Sequence, residues 1–301
     1  MTIDVNTRFI TLIGTPLDQS FAARMQNAAY EAAGVNMLYC YTETGDAHLR
    51  QIMDGIRYMP SFAGCAVTKP NKVSVLPYLD ELDPLCAKMG ACNTVVKRDG
   101  KLIGYNTDGS GFLRSLREET DIDVASGRFF CFGAGGAGRA ICSVLAHSGA
   151  KALYIASRST TSAERLAREI NENFAPIAEA VPYGDHSKLA ECTAVLNASG
   201  IGMGETLGQS PVPAEYLSPS HLCFDACYNP DKTQFLLDAE KRGCRILNGL
   251  GMSLYQGATQ VELWTGKPAP VDVMRAELVR ILEEKAWAAS HAGSGTFHGK
   301  G

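Results

Sequence analysis

Apolar positions in the first hundred residues fall into two alternating patterns. Short unbroken runs at Arg8 to Gly14, Met37 to Thr42 and Ala63 to Thr68 read as strands. Between them, Phe21 to Ala33 and Ala47 to Tyr58 carry their apolar residues at helical spacing. Such alternation predicts an α/β fold. Pro70 suits the first turn of a helix running through Leu79, because a proline there forfeits only an N–H that has no helical partner. Val95 to Gly104 reads as a hairpin turning at Asp99-Gly100, a dipeptide that tolerates positive φ at both positions.

A second unit of the same kind follows. Apolar runs at Arg128 to Gly133, Ala152 to Ala156, Ala194 to Ala198, Leu222 to Tyr228 and Arg245 to Leu247 predict buried parallel strands. Gly251 to Thr265 is apolar at helical spacing, Val271 to Ala289 is an amphipathic helix, and the Gly/Ser-rich stretch from Ser290 is expected to be disordered. The predicted organisation is a substrate and catalytic domain of residues 1–106 and 248–289, an inserted doubly wound nucleotide-binding domain of Rossmann type over 107–247, and a tail over 290–301. The C-terminal helices are thereby expected to return to the first domain.

Composition narrows the function. The chain has 301 residues, 46% of them hydrophobic, enough for a packed core in two domains. Its longest apolar stretch, around Ile141 to Ser157, is interrupted by His147, Ser148, Gly149 and Lys151, so no membrane span is expected. The opening Met-Thr-Ile-Asp-Val-Asn lacks a basic region followed by an apolar core, so no secretory signal is expected either. Ten cysteines contain no C-x-x-C pair and mostly sit in apolar runs, which predicts small buried hydrophobes in a reducing, cytoplasmic compartment. The six histidines are scattered, so no metal site is expected. A net charge of −4 without a Lys/Arg stripe argues against nucleic acid as a partner. Small-molecule chemistry remains, and a homodimer is left open.

Gly133-Ala134-Gly135-Gly136-Ala137-Gly138 fits G-x-G-x-x-G directly after a predicted strand and at the start of a predicted helix, Arg139 to His147. In that context Gly133 permits the tight turn, Gly135 lets the backbone approach a pyrophosphate, and Gly138 allows close helix–strand packing. The next strand ends in Ser157-Arg158-Ser159, about twenty residues past Gly138, where an NAD-selective site places a carboxylate on the ribose. A guanidinium with two hydroxyls attracts a 2′-phosphate instead, so NADP(H) is favoured, with NAD(H) still admissible. The competing reading makes Arg158 a solvated residue at a strand end.

Three polar clusters interrupt the first unit: Thr68-Lys69-Pro70-Asn71-Lys72, Cys92-Asn93-Thr94 and Asn106-Thr107-Asp108. Each follows a strand-like run, and the carboxyl ends of strands line the ligand crevice of an open α/β sheet. Taken singly, each also suits a turn or cap, with Asp108 as the N-cap of a helix from Gly109 to Leu116. In this order, and together with Ile13-Gly14-Thr15-Pro16, the glycine loop, Asn197-Ala198-Ser199-Gly200-Ile201-Gly202-Met203, Tyr228-Asn229-Pro230 and Gly249-Leu250-Gly251-Met252 through Gln256, the clusters resemble the shikimate dehydrogenase family over nearly the whole chain. The resemblance implies reversible NADP-dependent reduction of a ring ketone, with 3-dehydroshikimate and shikimate as the type pair. It implies Lys72 and Asp108 as the catalytic pair, Ser20, Thr68, Asn93 and Gln256 as substrate contacts, and Tyr228 near substrate and nicotinamide. It likewise implies Asn197, Ser199, Met203 and Gly249 at the cofactor.

The chain departs from the family pattern at three places. Of the Ser-x-Ser-Pro motif, whose hydroxyls hold the substrate carboxylate, only Ser20 survives, and Ala22 stands at the second serine. Ala66 replaces the usual Asn before Val67-Thr68, as in the shikimate dehydrogenase-like subgroup. Each lost partner costs about 1–3 kcal/mol if the facing group stays buried and unpaired. Arg24 or Gln19 is a candidate replacement donor, and Arg165 for the second basic residue expected where Ser162 stands. A non-catalytic NADP-binding sensor on the same fold is the alternative to an enzyme.

Overall fold

Asp99 and Gly100 take φ of 52° and 79°, the left-handed pair that a two-residue hairpin needs, so the chain reverses where the sequence predicts. The computed structural model describes residues 3–18 and 20–291. Numbered along the chain, the strands are β1 (Arg8–Gly14), β2 (Met37–Glu43), β3 (Phe62–Val67), β4 (Glu81–Leu82), β5 (Thr94–Arg98), β6 (Lys101–Tyr105), β7 (Arg128–Phe132), β8 (Ala152–Ala156), β9 (Ala178–Val181), β10 (Ala194–Asn197), β11 (Leu222–Asp225) and β12 (Arg245–Leu247). The helices are α1 (Ala22–Ala32), α2 (Leu49–Tyr58), α3 (Asn71–Ser74), α4 (Pro84–Met89), α5 (Thr107–Glu119), α6 (Gly136–His147), α7 (Thr160–Asn173), α8 (Gln234–Lys241), α9 (Leu250–Thr265) and α10 (Val271–His291).

The strands form two six-stranded sheets. The first has the order β2-β1-β3-β5-β6-β4, with β1 parallel to β2 and β3, and the hairpin β5-β6 running antiparallel to β3. The second, β12-β11-β10-β7-β8-β9, is parallel throughout, and the order reverses between β7 and β10. Its ligand crevice is therefore expected where the loops after β7 and β10 part.

Residue alternation explains why the central strands are apolar on both faces between their ends. Along β7, Phe129 and Cys131 join a cluster under α6 and α7, while Phe130 and Phe132 join another with Phe235 and Leu236 of α8. Both faces are covered, so neither can be polar. The first sheet is likewise flanked by two clusters, one holding Leu254, Val261 and Trp264 of α9 with Met274 and Leu278 of α10. The C-terminal helices thus pack on the first sheet. Trp264 and Tyr255 are core residues, their polar tips bonded to Val95 O at 3.0 Å and Arg275 at 2.9 Å. Nine cysteines are buried, Cys40 is half-buried, and all are free thiols.

Some local expectations need correction. The N-cap of α5 is Asn106, whose side chain accepts from Asp108 N–H at 3.2 Å; Asp108 lies inside the first turn, its carboxylate free for other work. The helix expected through Leu79 stops at Ser74 and gives way to a tight turn over Leu76–Tyr78, where Pro77 cannot donate to a helical ladder. The run expected to Tyr228 leaves the sheet at Asp225, placing Tyr228 in the following loop. Ser290 and His291 extend α10, and the rest of the expected tail lies outside the described residues. Helices α4, α7 and α8 and strand β9 were not anticipated individually. Among the described residues no helix is long and apolar enough to cross a membrane.

Candidate active site

Two glycines on α5 set the distance between the halves of the site. A Cβ on Gly111 would stand 2.6 Å from Met252 O and Gln256 N of α9, and one on Gly109 would stand 2.2 Å from Val144 of α6. Only bare backbone lets α5 lie this close to both helices. Its first turn, with Thr107 and Asp108, is thereby presented to the C-terminal end of β3 and to Gln256 together.

Lys72 lies on α3, just past the end of β3, and donates to Asp108 Oδ2 at 2.5 Å. The side chains are 25% and 15% exposed, so a small molecule can reach the pair. Asp108 Oδ1 accepts from Asn93 Nδ2 at 2.9 Å; that nitrogen also donates to Thr107 Oγ1 at 3.0 Å. Asn93 Oδ1 in turn accepts from Thr107 N–H and Thr94 Oγ1, both at 2.8 Å. Buried Asn93, held on four sides, therefore fixes the carboxylate. Cys92 N–H donates to Lys72 O at 2.8 Å, tying the lysine turn to the same segment.

Ser20, Thr68, Lys72, Asn93, Asp108, Tyr228 and Gln256 all line one cavity of about 330 Å³. Ala22 and Ala66, the two departures, line it as well, as do Ala137 of the glycine loop and Gly249. Tyr228 meets Phe21 edge to face at 5.6 Å, and burial pushes its phenol pKa up. Arg24 does not supply the missing donor: it bonds Glu277 at 2.9 Å and Glu284 at 2.5 Å on α10 and lines a neighbouring cavity. Gln19 lies outside the described residues. Sequence reasoning missed Gln260, whose Nε2 donates to Thr94 Oγ1 at 2.9 Å. Its position four residues after Gln256, on the same helical face, was the available signal.

A second cavity, of about 130 Å³, is lined by Gly133, Ala134, Gly135, Ser157, Arg158, Tyr183, Ala198 and Ser199. Gly133 has φ of +110°, and a Cβ there would stand 2.6 Å from the Ala198 carbonyl. A Cβ on Gly138 would stand 2.0 Å from Gly133 O, whereas Gly135 and Gly136 face open space. Bare backbone is needed inside the turn, and room is left outside it at the N-terminus of α6. That is a cradle a pyrophosphate fits. Arg158 is exposed, and Ser159 caps α7, its Oγ 2.9 Å from Ser162 Oγ. Arg165 is exposed on α7 and lines neither cavity. Asn197 is fully buried and donates to Asp225 Oδ2 and Ile201 O at 2.9 Å, while its Oδ1 accepts from Ser199 Oγ at 2.6 Å. It shapes the loop from beneath. Met203 is 48% exposed and lines neither cavity. Tyr183, missed from sequence, lines the second cavity from the loop after β9.

Residues 12–95 match the family described as shikimate dehydrogenase substrate binding domain, and residues 249–279 that described as shikimate 5′-dehydrogenase C-terminal domain. The shikimate dehydrogenase (NADP(+)) of Desulforamulus reducens is 42% identical over 91% of this chain and 95% of its own. The shikimate 5-dehydrogenase of Listeria monocytogenes, solved in complex with shikimate and NAD, superposes with a TM-score of 0.89 at 38% identity, covering 92% of this chain and 98% of that one. The 5-ketofructose reductase of a Gluconobacter strain superposes with a TM-score of 0.83 at 34% identity, covering 92% and 100%. The chain belongs to the shikimate dehydrogenase family.

Proposed function

We infer that this protein is an NADP-dependent oxidoreductase that interconverts a ring ketone and a secondary alcohol on shikimate or a related hydroxylated cyclic acid. The observation that carries the reading is the meeting of Lys72 and Asp108 with five hydroxyl-binding candidates in one cavity bordered by Ala137 and Gly249. On this reading 1–106 and 248–289 form the substrate domain and 107–247 the cofactor domain, which also lends Asp108 and Tyr228 to the substrate cavity. The name of the D. reducens relative and the cationic Arg158 both favour NADP(H). Free buried thiols favour a reducing, cytoplasmic setting, and a homodimer is compatible with the reading.

Bound NADPH supplies the hydride. The protein supplies a proton and a fixed geometry. As negative charge develops on the carbonyl oxygen, the Lys72 ammonium donates its proton to that oxygen. Asp108 orients the ammonium, and Asn93 orients Asp108. Thr68 and Gln256 are placed to bond ring hydroxyls, Ser20 to bond a more distant polar group, and Tyr228 closes the cavity on the cofactor side. Gly133, Gly135 and Gly138 serve the pyrophosphate, with Gly136 and Ala137 opening α6 behind them. Ser157, Arg158 and Ser159 serve the ribose phosphate, and Ser199, supported by Asn197, serves the cofactor in the same cavity as Arg158. Met203, exposed on the loop after β10, is assigned to the cofactor by the family resemblance.

The test is turnover by purified protein on a panel of cyclic hydroxy acids and their ketones with both cofactors. Lys72→Ala is expected to lower kcat by about 10²- to 10⁴-fold while leaving NADPH affinity within about twofold. An equally active Lys72→Ala sinks the mechanism. NADPH binding without turnover across the panel favours the non-catalytic sensor.

A further inference from the structure

We propose that Gln260 is a positioning residue of the reaction: it fixes the direction of a buried hydrogen-bond chain that ends on Lys72. The proposal rests on the reading of Lys72 and Asp108 as the pair that handles the proton.

The chain starts on α1 and crosses α9 before it reaches the site. Gln26 Nε2 donates to Gln260 Oε1 at 3.2 Å, and Gln260 Nε2 donates to Thr94 Oγ1 at 2.9 Å. Thr94 Oγ1 donates to Asn93 Oδ1 at 2.8 Å, and Asn93 Nδ2 donates to Asp108 Oδ1 at 2.9 Å. The other carboxylate oxygen receives the Lys72 ammonium at 2.5 Å. Gln26, Gln260, Thr94 and Asn93 are all buried, where a wrongly turned amide sets acceptor against acceptor.

An amide can face either way and a hydroxyl has a single proton, so something must set the direction. At the outer end that group is Gly257 O, which can only accept and takes Gln26 Nε2 at 3.1 Å. The second proton of this nitrogen goes to Gln260, which therefore turns its oxygen to Gln26 and its nitrogen to Thr94. Asn93 O, a further acceptor 3.5 Å from Gln260 Nε2, favours the same orientation. Thr94, supplied with a proton by Gln260, keeps its own for Asn93 Oδ1, and Asn93 keeps its nitrogen toward Asp108. This direction holds although it leaves Gln26 Oε1 buried without a partner. Thr107 N–H also donates to Asn93 Oδ1, at 2.8 Å, so losing Gln260 loosens Asn93 without reversing it. A loosened Asn93 lets Asp108 and the lysine it orients drift from the carbonyl oxygen, which slows proton transfer more than it weakens binding.

The test uses the full chain with NADPH and the ring ketone it reduces fastest, reading hydride transfer as loss of NADPH absorbance in single turnovers. Gln260→Met, unbranched and of similar length, is expected to lower that rate about three- to thirtyfold while the half-saturating ketone concentration and NADPH affinity stay within about twofold. Thr94→Val cuts the chain one step nearer the site and should lower the rate at least as much. In the Thr94→Val background, Gln260→Met should then cost less than about twofold more, because the path is already broken. Effects that multiply overturn the proposal, since Gln260 would then act through packing alone. An unchanged rate in Gln260→Met overturns it, and so does a raised half-saturating concentration at unchanged rate, which marks an ordinary substrate contact. If Gln260→Met does not fold, Gln26→Met, which removes the donor to Gln260 Oε1, enters the same cycle under the same criteria. Absence of turnover by the unaltered chain across the panel refutes the ring-ketone reading itself, and this proposal with it.

Discussion

Gly138 and Gly135 sit three residues apart in the same loop, yet alanine at each should fail differently. A Cβ on Gly138 would stand 2.0 Å from Gly133 O and 2.8 Å from its carbonyl carbon. An ordinary carbon–oxygen contact is above 3 Å, so α6 or the β7 turn must move by about 1 Å, and both are anchored in packed core. Overpacking of this kind costs about 1–3 kcal/mol, which in a chain of this size lowers Tm by about 2–10 °C. It also displaces the helix N-terminus from the phosphate, so NADPH affinity should fall at least tenfold, about 1.4 kcal/mol. Gly135 has φ of −81°, and a Cβ there meets nothing within 4 Å, so Gly135→Ala should leave Tm unchanged. Its methyl would project where the pyrophosphate approaches, and NADPH affinity should fall at least tenfold by that route alone. The assays are thermal unfolding without cofactor and titration of NADPH fluorescence. A Gly135→Ala that loses as much Tm as Gly138→Ala while keeping its NADPH affinity would falsify the assignment of the two glycines.

Three further outcomes follow from particular contacts. Arg158→Asp should raise the KM for NADPH more than tenfold while improving that for NADH, because a carboxylate repels the 2′-phosphate and suits a free ribose; unchanged cofactor preference in steady-state kinetics returns Arg158 to a solvated strand end. Gly111→Ala should push Gln256 away from Thr107, raising the substrate KM without changing NADPH affinity, and an unaltered KM would show that the closeness of α5 and α9 does not position Gln256. His221 is buried, its Nδ1 accepting from Ser218 N–H and its Nε2 facing Leu189 O at 3.1 Å, and burial pushes its pKa below the ordinary 6.5. The folded state thus prefers the neutral ring: this contribution is complete above pH 6.5 and is lost as pH falls through the depressed folded value. His221→Gln should flatten the dependence of the urea midpoint on pH over about pH 7 to 5, and an unchanged slope would assign that dependence elsewhere.

The sequence by itself determined those features whose cause lies within one short segment. Runs of apolar residues announced strands buried on both faces, Asp99-Gly100 announced its hairpin, and the glycine loop announced a phosphate cradle, since turn geometry and helix-end electrostatics depend on neighbouring residues alone. The order and spacing of the polar clusters carried the family resemblance. Tertiary structure decided which side chains meet. Lys72 and Asp108 lie 36 residues apart and bond only because Gly109 and Gly111 let α5 settle between α6 and α9. Capping of α5 by Asn106 left Asp108 free for that lysine, a choice between helix-capping residues two positions apart that propensity does not make. The side chain of Arg24 turned to Glu277 and Glu284, residues more than 250 positions away, and so supplies no donor to the cavity. Contacts of this kind depend on how helices pack once the sheets are built, and no local pattern of hydrophobic and polar residues encodes that packing.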